Sequence, residues 1–474
     1  MRKNDVGIVR EKKYDVVTQR DCGTTKNRYG GTNMKKLVAL LLACVLVIGL
    51  FAGCASTDTS TDTNTDTDTS TDTSTDTSTD TDTDASTDTE GKKYDGVILT
   101  YWSMWTSAEP QGTVLQAAAD AFAEETGATV NIEWKGRDIN QVLSASLEAG
   151  DNVDIFEDDY QRIAQIYKDY TLDLTEMAEA AGYVGYDCIN NQVIEWAGFL
   201  NSISEQPQVG GVFYDKDAFA KAGIESEPTT WAEFLDVCQQ LKDAGIAPLA
   251  LDSAYSYFTF YYHLVRYLGE EKIEELALNG GWGESEAVTA AQEIIDFVNA
   301  GYLVDGAPDE FPSSQNKIGF GQAAMVVLAN YVTSEVNNAV GAELNWGLFN
   351  YPAVDGGVDN AAAYAGSNSI AISSYCANPQ AAFDFIMFLT TGEYDQMMAD
   401  TAGQIPADPT NTAPKALTGT IETLQAADKP MSWCGSTNAN SDLSTNFKSI
   451  FNELYEGKYA TGEDFCAALD ALYK

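Results

Sequence analysis

The spacing of apolar and polar residues changes repeatedly along the chain. "GVILTYWSM" from Gly96, "TVNIEW" from Thr129 and "NVDIFEDD" from Asn152 are rich in β-branched and aromatic residues, which predicts strands. Between them, "GTVLQAAADAFAEETGA" and "INQVLSASLEAG" repeat their apolar residues at helical spacing, so that Leu115 and Phe122 share one face. Strands that alternate with helices predict an α/β fold with a mostly parallel sheet.

The second half of the chain continues with the same two periods. "GGVFYDKDAFAKAGI" predicts a strand, a turn and a short helix that ends at Gly223. In "SEPTTWAEFLDVCQQLKDAGI", Thr229 or Thr230 is the expected N-cap, Glu233 lies in the first turn, and Gly245 is the expected C-cap. "AAMVVLANY" and "NWGLFNYPAV" predict strands, and further helices are expected at 378–391, 441–455 and 461–472.

The ends of the predicted strands carry polar and aromatic residues. Ligands of α/β sheets bind in the crevice beyond the carboxyl ends of the strands. Trp102 to Thr106 follow the first predicted strand, and Glu157 to Asp159 follow the third. These two segments are therefore the first candidates for a binding site.

The N-terminal part shows an apolar run followed by a polar repeat. After Met34-Lys35-Lys36, "LVALLLACVLVIGLF" extends for about fifteen residues, fewer than the roughly twenty that span a bilayer, so a permanent membrane helix is the weaker interpretation. Residues 34–53 are predicted to be a lipoprotein signal peptide, and residues 1–33 an upstream segment without a structural role. "FAGC" resembles a lipobox, with Phe51 where leucine is usual, so Cys54 is the predicted site of lipidation.

Residues 54–94 connect Cys54 to the predicted fold. From Thr57 to Glu90, threonine, serine and aspartate alternate without an apolar cluster. Such a segment cannot offset its ordering entropy, so it is predicted to be a disordered tether. A stalk for surface glycosylation would have the same composition.

Charge and composition exclude several classes of function. The chain has 71 acidic and 27 basic residues and a formal net charge of −44, so its surface repels phosphates and no nucleic-acid partner is expected. His263 is the single histidine, and its aromatic setting predicts a packed or surface imidazole. The eight cysteines form no CxxC pair, and neither a P-loop nor a GxGxxG motif is present. We therefore expect no metal, no nucleotide chemistry and no cofactor.

Five phrases resemble the extracellular solute-binding proteins of the sugar type, which deliver carbohydrates to ATP-binding-cassette (ABC) importers. "YDKDAFAKAGI" is followed by "PTTW" as in that family, with Asp215 where asparagine is usual. "VDIFEDD" resembles the family's Asp-Ile strand and "FGQAAMVVLANY" its Gly-x-Ala-Ala-Met strand. "AGSNSIAIS" and "NPQAAFDFIMFLTTGEYDQMMADTAGQIPA" resemble its late strand, helix and Gly-x-x-Pro turn. The resemblance extends from about residue 97 to the C-terminus.

The resemblance implies a two-lobed α/β fold like that of periplasmic binding proteins, with hinge strands and the ligand in the cleft between the lobes. Lobe one is expected at 95–211 and 353–403, and lobe two at 212–352 and 404–474. The implied protein is a monomer without catalytic residues. It would carry a carbohydrate to membrane-embedded ABC permease subunits, lipid-anchored to the cell membrane through Cys54 and facing outside the cytoplasm.

A sugar ring has apolar C–H faces and a rim of hydroxyls, so its site needs aromatic rings and a few carboxylates or amides. Adjacent residues of an extended segment face opposite ways, so Asp158 and Asp159 cannot both contact one ligand. The candidate residues lie where the family's loops face the cleft. Each of them contacts the ligand, or else packs in the core or lies on the plain surface. The candidates are Trp102, Trp105, Glu109, Asp158, Asp159, Trp196, Tyr257, Tyr331, Ser367 and Trp433.

Three other functions stay open at this point. A secreted glycoside hydrolase needs two carboxylates at a fixed separation. This chain has many carboxylates, so their presence alone does not indicate the activity. A binding protein for a non-sugar solute, such as a cationic small molecule, fits the acidity. The order of the family phrases argues against the hydrolase. A structural or adhesive lipoprotein is the third alternative.

Overall fold

The computed structural model describes residues 91–427 and 430–474. The segments 1–33 and 34–53, Cys54 and the tether up to Glu90 lie outside these residues, so their roles stay predictions. Within the described ranges, no helix is both long and apolar enough to cross a membrane. The strands are β1 (Ile98–Ser103), β2 (Thr129–Trp134), β3 (Ile155–Asp159), β4 (Ile203–Asp215), β5 (Ala247–Ala250), β6 (Ala323–Ala329), β7 (Trp346–Phe349) and β8 (Ala365–Ile372).

The α-helices of the described residues lie between the strands and at the C-terminal end. The longest, α8, contains a non-helical residue at Gly269. The helices are α1 (Pro110–Thr126), α2 (Ile139–Ala149), α3 (Tyr160–Gln165), α4 (Thr175–Ala181), α5 (Asp187–Ala197), α6 (Lys216–Ala222), α7 (Trp231–Asp243), α8 (Ser256–Asn279), α9 (Ser285–Asn299), α10 (Ser313–Gly319), α11 (Tyr331–Val340), α12 (Pro379–Thr390), α13 (Gly392–Ala402), α14 (Thr420–Ala426), α15 (Gly435–Asn438), α16 (Ser444–Tyr455) and α17 (Gly462–Asp470).

The strands are hydrogen-bonded in the order β2-β1-β3-β8-β4-β6-β5, and β7 pairs with β4. β1 is parallel to β2 and β3, and β5 is parallel to β6. The pairs β3–β8, β4–β8, β4–β6 and β4–β7 are antiparallel. The expectation of a mostly parallel sheet was therefore wrong. The sheet is mixed because the chain leaves one part of the sheet along β4 and comes back to it along β8, which runs antiparallel to β4.

The long strand β4 belongs to two parts of the sheet. Its residues Ile203–Val209 pair with β8, and its residues Gly210–Tyr214 pair with β6. A Cβ on Gly211 would lie 2.7 Å from the carbonyl oxygen of Phe349, so the close approach at this crossing requires glycine. We call the part with β1, β2, β3 and β8 the first lobe, and the part with β5, β6 and β7 the second lobe. This is the two-lobed α/β fold class that the sequence predicted.

Each lobe has its own helical cover. Over the first lobe, α1 and α12 pack together, with the rings of Phe122 and Phe385 5.4 Å apart. The first lobe also contacts chain that follows α13, because Tyr186 Oη donates a hydrogen bond to the Pro406 carbonyl at 3.0 Å. Over the second lobe, His263 on α8 is fully buried against Trp231, with 4.5 Å between ring centres. The single histidine is thus a packed core residue.

Local signals in the sequence explain where several helices begin and end. At α7, the Thr230 side chain accepts from the Glu233 backbone N–H and Glu233 accepts in return from the Thr230 backbone N–H, which is the expected capping box. Gly245, with φ +77°, follows its last turn, and Gly223 ends α6 in the left-handed region. The helices expected at 378–391, 441–455 and 461–472 begin and end within three residues of α12, α16 and α17.

Candidate functional site

A cavity of about 310 Å³ lies between the two lobes, beside the crossing strand β4. Side chains from both lobes line it, and they combine aromatic rings with amides and carboxylates. The first lobe, the β4 strand and the chain after α13 contribute Trp105, Glu109, Arg137, Gln206, Gln208, Asn368 and Gln404. The second lobe contributes Tyr255, Tyr331, Ser334, Glu335 and Asn338.

The loop after β1 forms one side of the cavity. The guanidinium carbon of Arg137 lies 4.2 Å from the centre of the buried Trp105 ring. Arg137 donates to Glu109 Oε1 at 2.7 Å and to the Met104 carbonyl at 2.6 Å. Burial alone would raise the pKa of Glu109, but the Thr106 N–H and the Arg137 charge lower it. Glu109 is therefore held as an ionised acceptor.

The floor of the cavity comes from two paired strands. Gln206 on β4 lies opposite Asn368 on β8, next to an irregularity in the pairing that follows Ser204. Two buried donors of lining residues, Trp105 Nε1 and Gln206 Nε2, have no hydrogen-bond partner among the described residues. Leaving a buried donor unpaired costs about 1–3 kcal/mol, so an acceptor oxygen that reached either group would stabilise the protein, although the Gln206 side chain also lies beside the Glu205 carboxyl.

The second lobe supplies aromatic rings and one buried acid. The rings of Tyr255 and Tyr331 are 6.2 Å apart. Glu335 lies one helical turn beyond Tyr331 on α11 and accepts a hydrogen bond from Gln315 Nε2 at 2.7 Å. Burial raises the pKa of Glu335 above its ordinary value. This wall therefore offers ring faces and a carboxyl group whose pKa is raised by burial.

An aromatic group that we call the Trp433 cluster adjoins the cavity and consists of Tyr255, Phe258, Tyr364 and Trp433. The Trp433 ring stacks on Phe258, with 3.8 Å between centres and a 16° angle between planes. Its edge contacts to Tyr364 and Tyr255 are at 5.1 and 6.4 Å. Trp433 Nε1 donates to Tyr257 Oη at 2.7 Å. Since Tyr255 lines the cavity, the cluster extends the aromatic surface beyond it.

Asp158 and Asp159 face different surroundings, as their positions on β3 require. Asp158 is buried and receives two hydrogen bonds from Arg162, at 2.8 and 2.9 Å. Asp159 caps α3 by accepting from the Arg162 backbone N–H at 3.1 Å. Burial raises the pKa of Asp159 to about 6 against the opposing charge of Arg162. Burial also raises the pKa of Tyr364 in the Trp433 cluster, and the charge of Asp159 adds to that shift.

Three candidates lie away from the cavity. Trp102 is buried among Ile139 and Phe156 on the sheet face opposite Tyr101, with the Lys135 ammonium 3.7 Å from its ring centre. Trp196 packs against Tyr160, with 5.3 Å between ring centres. Ser367 is buried and its hydroxyl lies 2.7 Å from that of Ser204.

The structure therefore brings some of the candidates together and separates others. Trp105, Glu109 and Tyr331 line the cavity, whereas Tyr257 and Trp433 lie in or beside the Trp433 cluster. Sequence reasoning missed several lining residues that adjoin the candidates: Tyr255 precedes Tyr257 by two positions, Asn368 follows Ser367, and Glu335 follows Tyr331 by one helical turn. Arg137, Gln206 and Gln208 had no sequence signal beyond their polarity.

A neighbouring groove of about 540 Å³ shares Ser334, Asn338 and Ala402 with the cavity. Trp346 is its one aromatic lining residue among the described residues, and Trp346 Nε1 already donates to Asn337. The smaller cavity is thus the better candidate for the main site. Within 91–427 and 430–474, no group of three histidine, cysteine or acidic residues is arranged to hold a metal ion.

A sequence profile for "Bacterial extracellular solute-binding protein" matches residues 105–396. The chain belongs to this family. The match begins at Trp105 on the cavity wall. It includes β4 and β8, the two antiparallel strands that connect the lobes. The resemblance found in the sequence is confirmed, and family members are binding proteins of transporters. No curated protein sequence matched the chain.

Solved structures with the same fold include other solute-binding proteins. A chitin oligosaccharide binding protein is 21% identical, with a TM-score of 0.64 over 79% of this chain and 98% of that protein. A binding protein MsmE from Bacillus subtilis, in an open conformation, is 16% identical, with a TM-score of 0.66 over 81% and 98%. The binding protein RafE in complex with raffinose is 15% identical, with a TM-score of 0.63 over 80% and 100%. At these identities the likeness shows the fold alone.

Proposed function

We propose that this protein binds an extracellular oligosaccharide in the cavity between its lobes and delivers it to an ABC importer. The observation that carries the proposal is the combination of aromatic rings with unpartnered buried donors. Tyr255 and Tyr331 offer ring faces for sugar C–H groups, and Trp105 Nε1 and Gln206 Nε2 are donors for sugar oxygens. Glu109 and Asn368 would accept hydrogen bonds from hydroxyls.

The size of the available space supports an oligosaccharide over a single sugar. The cavity continues into the groove of about 540 Å³, whose lining includes Asn337, Asn345 and Thr418. A chain of sugars can bind its first ring among the aromatic residues and extend its hydroxyls along these polar side chains. Chitin oligosaccharide and raffinose, which two of the three named neighbours bind, are ligands of this kind.

Delivery would follow from closure of the two lobes. Lobe one is proposed to comprise 95–211 and 353–403, and lobe two 212–352 and 404–474, with β4 as one hinge strand. Domain closure around a ligand is a common response of two-lobed binding proteins. The protein would act as a monomer without catalysis and present the closed form to membrane-embedded permease subunits.

Membrane attachment is proposed to depend on Cys54. A fatty-acid label should be incorporated by the wild-type protein and lost in Cys54→Ala, which should also accumulate as uncleaved precursor. Labelling that persists in Cys54→Ala would contradict lipidation at this residue. A serine-to-alanine change at Ser56 is a suitable control, because it leaves the thiol intact.

A cationic solute is a second candidate, favoured by two acidic side chains near aromatic rings. Glu335 lines the cavity, and Asp159 lies near Tyr364 of the Trp433 cluster. Rings and carboxylates together attract ammonium groups. Burial raises the pKa of both acids in the ligand-free protein, and a bound cation would lower both values.

A thermal-shift and calorimetric screen separates these functions. We expect raffinose, stachyose or chitotriose to raise the melting temperature, since a ligand at a hundred times its Kd adds about 2.7 kcal/mol of stability. Spermidine serves as the cationic probe. Stabilisation by spermidine alone would favour the second candidate. Recovery of hydrolysed sugar after incubation with pure protein would instead support a glycoside hydrolase.

A further inference from the structure

Two glutamates meet inside the first lobe, below the cavity. Glu157 on β3 and Glu205 on β4 are 0% and 2% exposed. The Glu157 carboxylate accepts hydrogen bonds from Tyr101 Oη at 2.7 Å, from Ser103 Oγ at 2.5 Å and from the Met104 backbone N–H at 2.6 Å. Burial raises the pKa of Glu157, but these three donors oppose that shift, so Glu157 is the member of the pair that ionises first.

Glu157 is connected to the loop that carries Trp105. Ser103 Oγ, which donates to Glu157, also accepts a hydrogen bond from the Trp105 backbone N–H at 3.1 Å. Met104, whose N–H is bound to the same carboxylate oxygen, lines the cavity together with Trp105. The position of this carboxylate therefore determines the position of the loop.

Glu205 occupies a bulge in β4. Ser204 lies opposite Ser369 and Gln206 lies opposite Asn368, so Glu205 is the extra residue between two paired positions. Neither of its carboxyl oxygens makes a hydrogen bond of ordinary geometry among the described residues, but the carboxyl lies beside the Glu157 carboxylate and the Gln206 amide. A bulge re-aims the side chains beside it, and Gln206 and Asn368 both line the cavity.

Within 91–427 and 430–474, the ionisable groups that act most strongly on Glu205 carry no positive charge. The ionisable groups whose influence reaches it are Glu157 from β3, Tyr101 from β1 and Asp395 from α13. The β8 residues opposite, 367–370, are uncharged. Three further helices that pack on β4 carry charged residues. Asp384 of α12 is held by Lys93 and Tyr94. The acids of α5 and α14 face solvent: Asp187, Glu195 and Glu422. Burial therefore raises the pKa of Glu205 well above its ordinary value, and the charge of Glu157 adds to the shift.

We propose that Glu205 is a positioning residue of the ligand site, and that its carboxyl, packed against the Glu157 carboxylate, holds Gln206 and the Trp105 loop in place. Two buried carboxyl groups side by side share one proton, which Glu205 carries. The proposal rests on the proposed function, because it assigns the support of that same cavity. Loss of the proton would place two negative charges side by side in the lobe. Their repulsion would move β4 and the loop apart and misplace both unpartnered donors.

The sign of the pH dependence follows from the raised pKa. A carboxyl whose folded-state pKa exceeds its unfolded value adds stability that is fully present at acid pH. That stability is lost as the pH rises from the ordinary glutamate range through the folded pKa. Ligand affinity should fall over the same range, because the deprotonated protein holds its donors in the wrong place.

The test combines infrared spectroscopy, amide hydrogen exchange and calorimetry on the wild-type protein and Glu205→Gln, which keeps the shape of the side chain and cannot ionise. At neutral pH the wild type should show a carboxylic-acid C=O band that Glu205→Gln lacks. The control Asp395→Asn removes a second buried acid of this lobe and should keep the band. As the pH rises, the band should disappear and the backbone amides of 103–105 should exchange faster than in Glu205→Gln at the same pH.

Affinity is measured with whichever of raffinose, stachyose and chitotriose binds. It should fall with rising pH in the wild type, by at most about tenfold per pH unit for one linked proton, and stay level in Glu205→Gln. A band that survives in Glu205→Gln, or equal amide exchange in both proteins, overturns the proposal. So does an affinity profile that is the same in both. If none of the three sugars binds the wild type, the proposed function fails, while the infrared and exchange results still decide whether Glu205 positions the loop. Should Glu205→Gln not fold, parallel titration of the band and of the exchange rates in the wild type decides the same question.

Discussion

The two walls of the cavity differ in how their side chains are held. On the first-lobe wall, Arg137 binds Glu109 and covers Trp105, and Gln206 is fixed by strand pairing. On the second-lobe wall, Tyr255 and Tyr331 are held by ring contacts with each other and, through Tyr255, with the Trp433 cluster. Hydrogen bonds fix direction, whereas ring packing supplies area with little directional preference. The polar wall should therefore select the ligand and the aromatic wall should supply contact.

The largest expected effect is on the aromatic wall. Trp433→Ala should lower the free energy of unfolding by about 3 kcal/mol, because the indole loses its stack on Phe258 and its hydrogen bond to Tyr257. Urea unfolding without ligand measures the change. Trp433→Phe is the control, since it keeps the stack and loses only the hydrogen bond, at a cost of about 1 kcal/mol. Unchanged stability in Trp433→Ala, with weaker sugar binding, would mean that the indole contacts the ligand and does not stabilise the fold.

A smaller effect is expected on the polar wall. Arg137→Ala should weaken sugar binding by about fivefold, since one interface contact is typically worth about 1 kcal/mol. Arg137→Ala should lower the free energy of unfolding by less than about 1 kcal/mol, because the ion pair with Glu109 is partly exposed. Lys135→Ala is the matched control, since Lys135 covers Trp102 away from the cavity and should leave affinity unchanged. Equal affinities for Arg137→Ala and the wild type would remove Arg137 from the binding wall.

The smallest effect concerns the charge beside the Trp433 cluster. Asp159 has a pKa raised to about 6, so it contributes stability at acid pH that is lost as the pH rises through 6. Asp159→Asn keeps an N-cap for α3 and should reduce this slope in unfolding curves measured between pH 4 and 7, while Asp395, whose pKa burial also raises to about 6, supplies the remaining slope. Asp158→Asn, which only weakens the pair with Arg162, should keep the slope. A wild-type slope in Asp159→Asn would show that another acid titrates in this range.

Much of the fold was predictable because it depends on local signals. The strand and helix periods, the capping box at Thr230 and the glycine that ends α6 are all encoded within a few residues. Strand direction was not predictable from these signals. It depends on the path of the chain between lobes, where β4 and β8 run in opposite directions, and no short sequence pattern encodes that path.

The site was predictable by region but not by residue. Trp102 lies near the end of β1 and Trp105 follows the strand. The sequence could not tell their roles apart, because both faces of β1 are buried and its residues lack a polar alternation. The structure buries Trp102 beside Ile139 and places Trp105 on the cavity wall. The glutamines of β4 were missed because their role depends on pairing with β8 and on the bulge at Glu205.

The same two tryptophans provide the most direct test of the central claim, that a saccharide binds between the lobes. Both side chains are buried and both have an indole N–H without a partner among the described residues, but only Trp105 lines the cavity. Calorimetric titration of Trp105→Phe and Trp102→Phe with the sugar that binds the wild type compares the loss of one N–H at each position. The account predicts weaker binding by about fivefold or more for Trp105→Phe, the value of one lost hydrogen bond, and wild-type affinity for Trp102→Phe. Equal affinity in Trp105→Phe and the wild type, or a larger loss in Trp102→Phe, would contradict it.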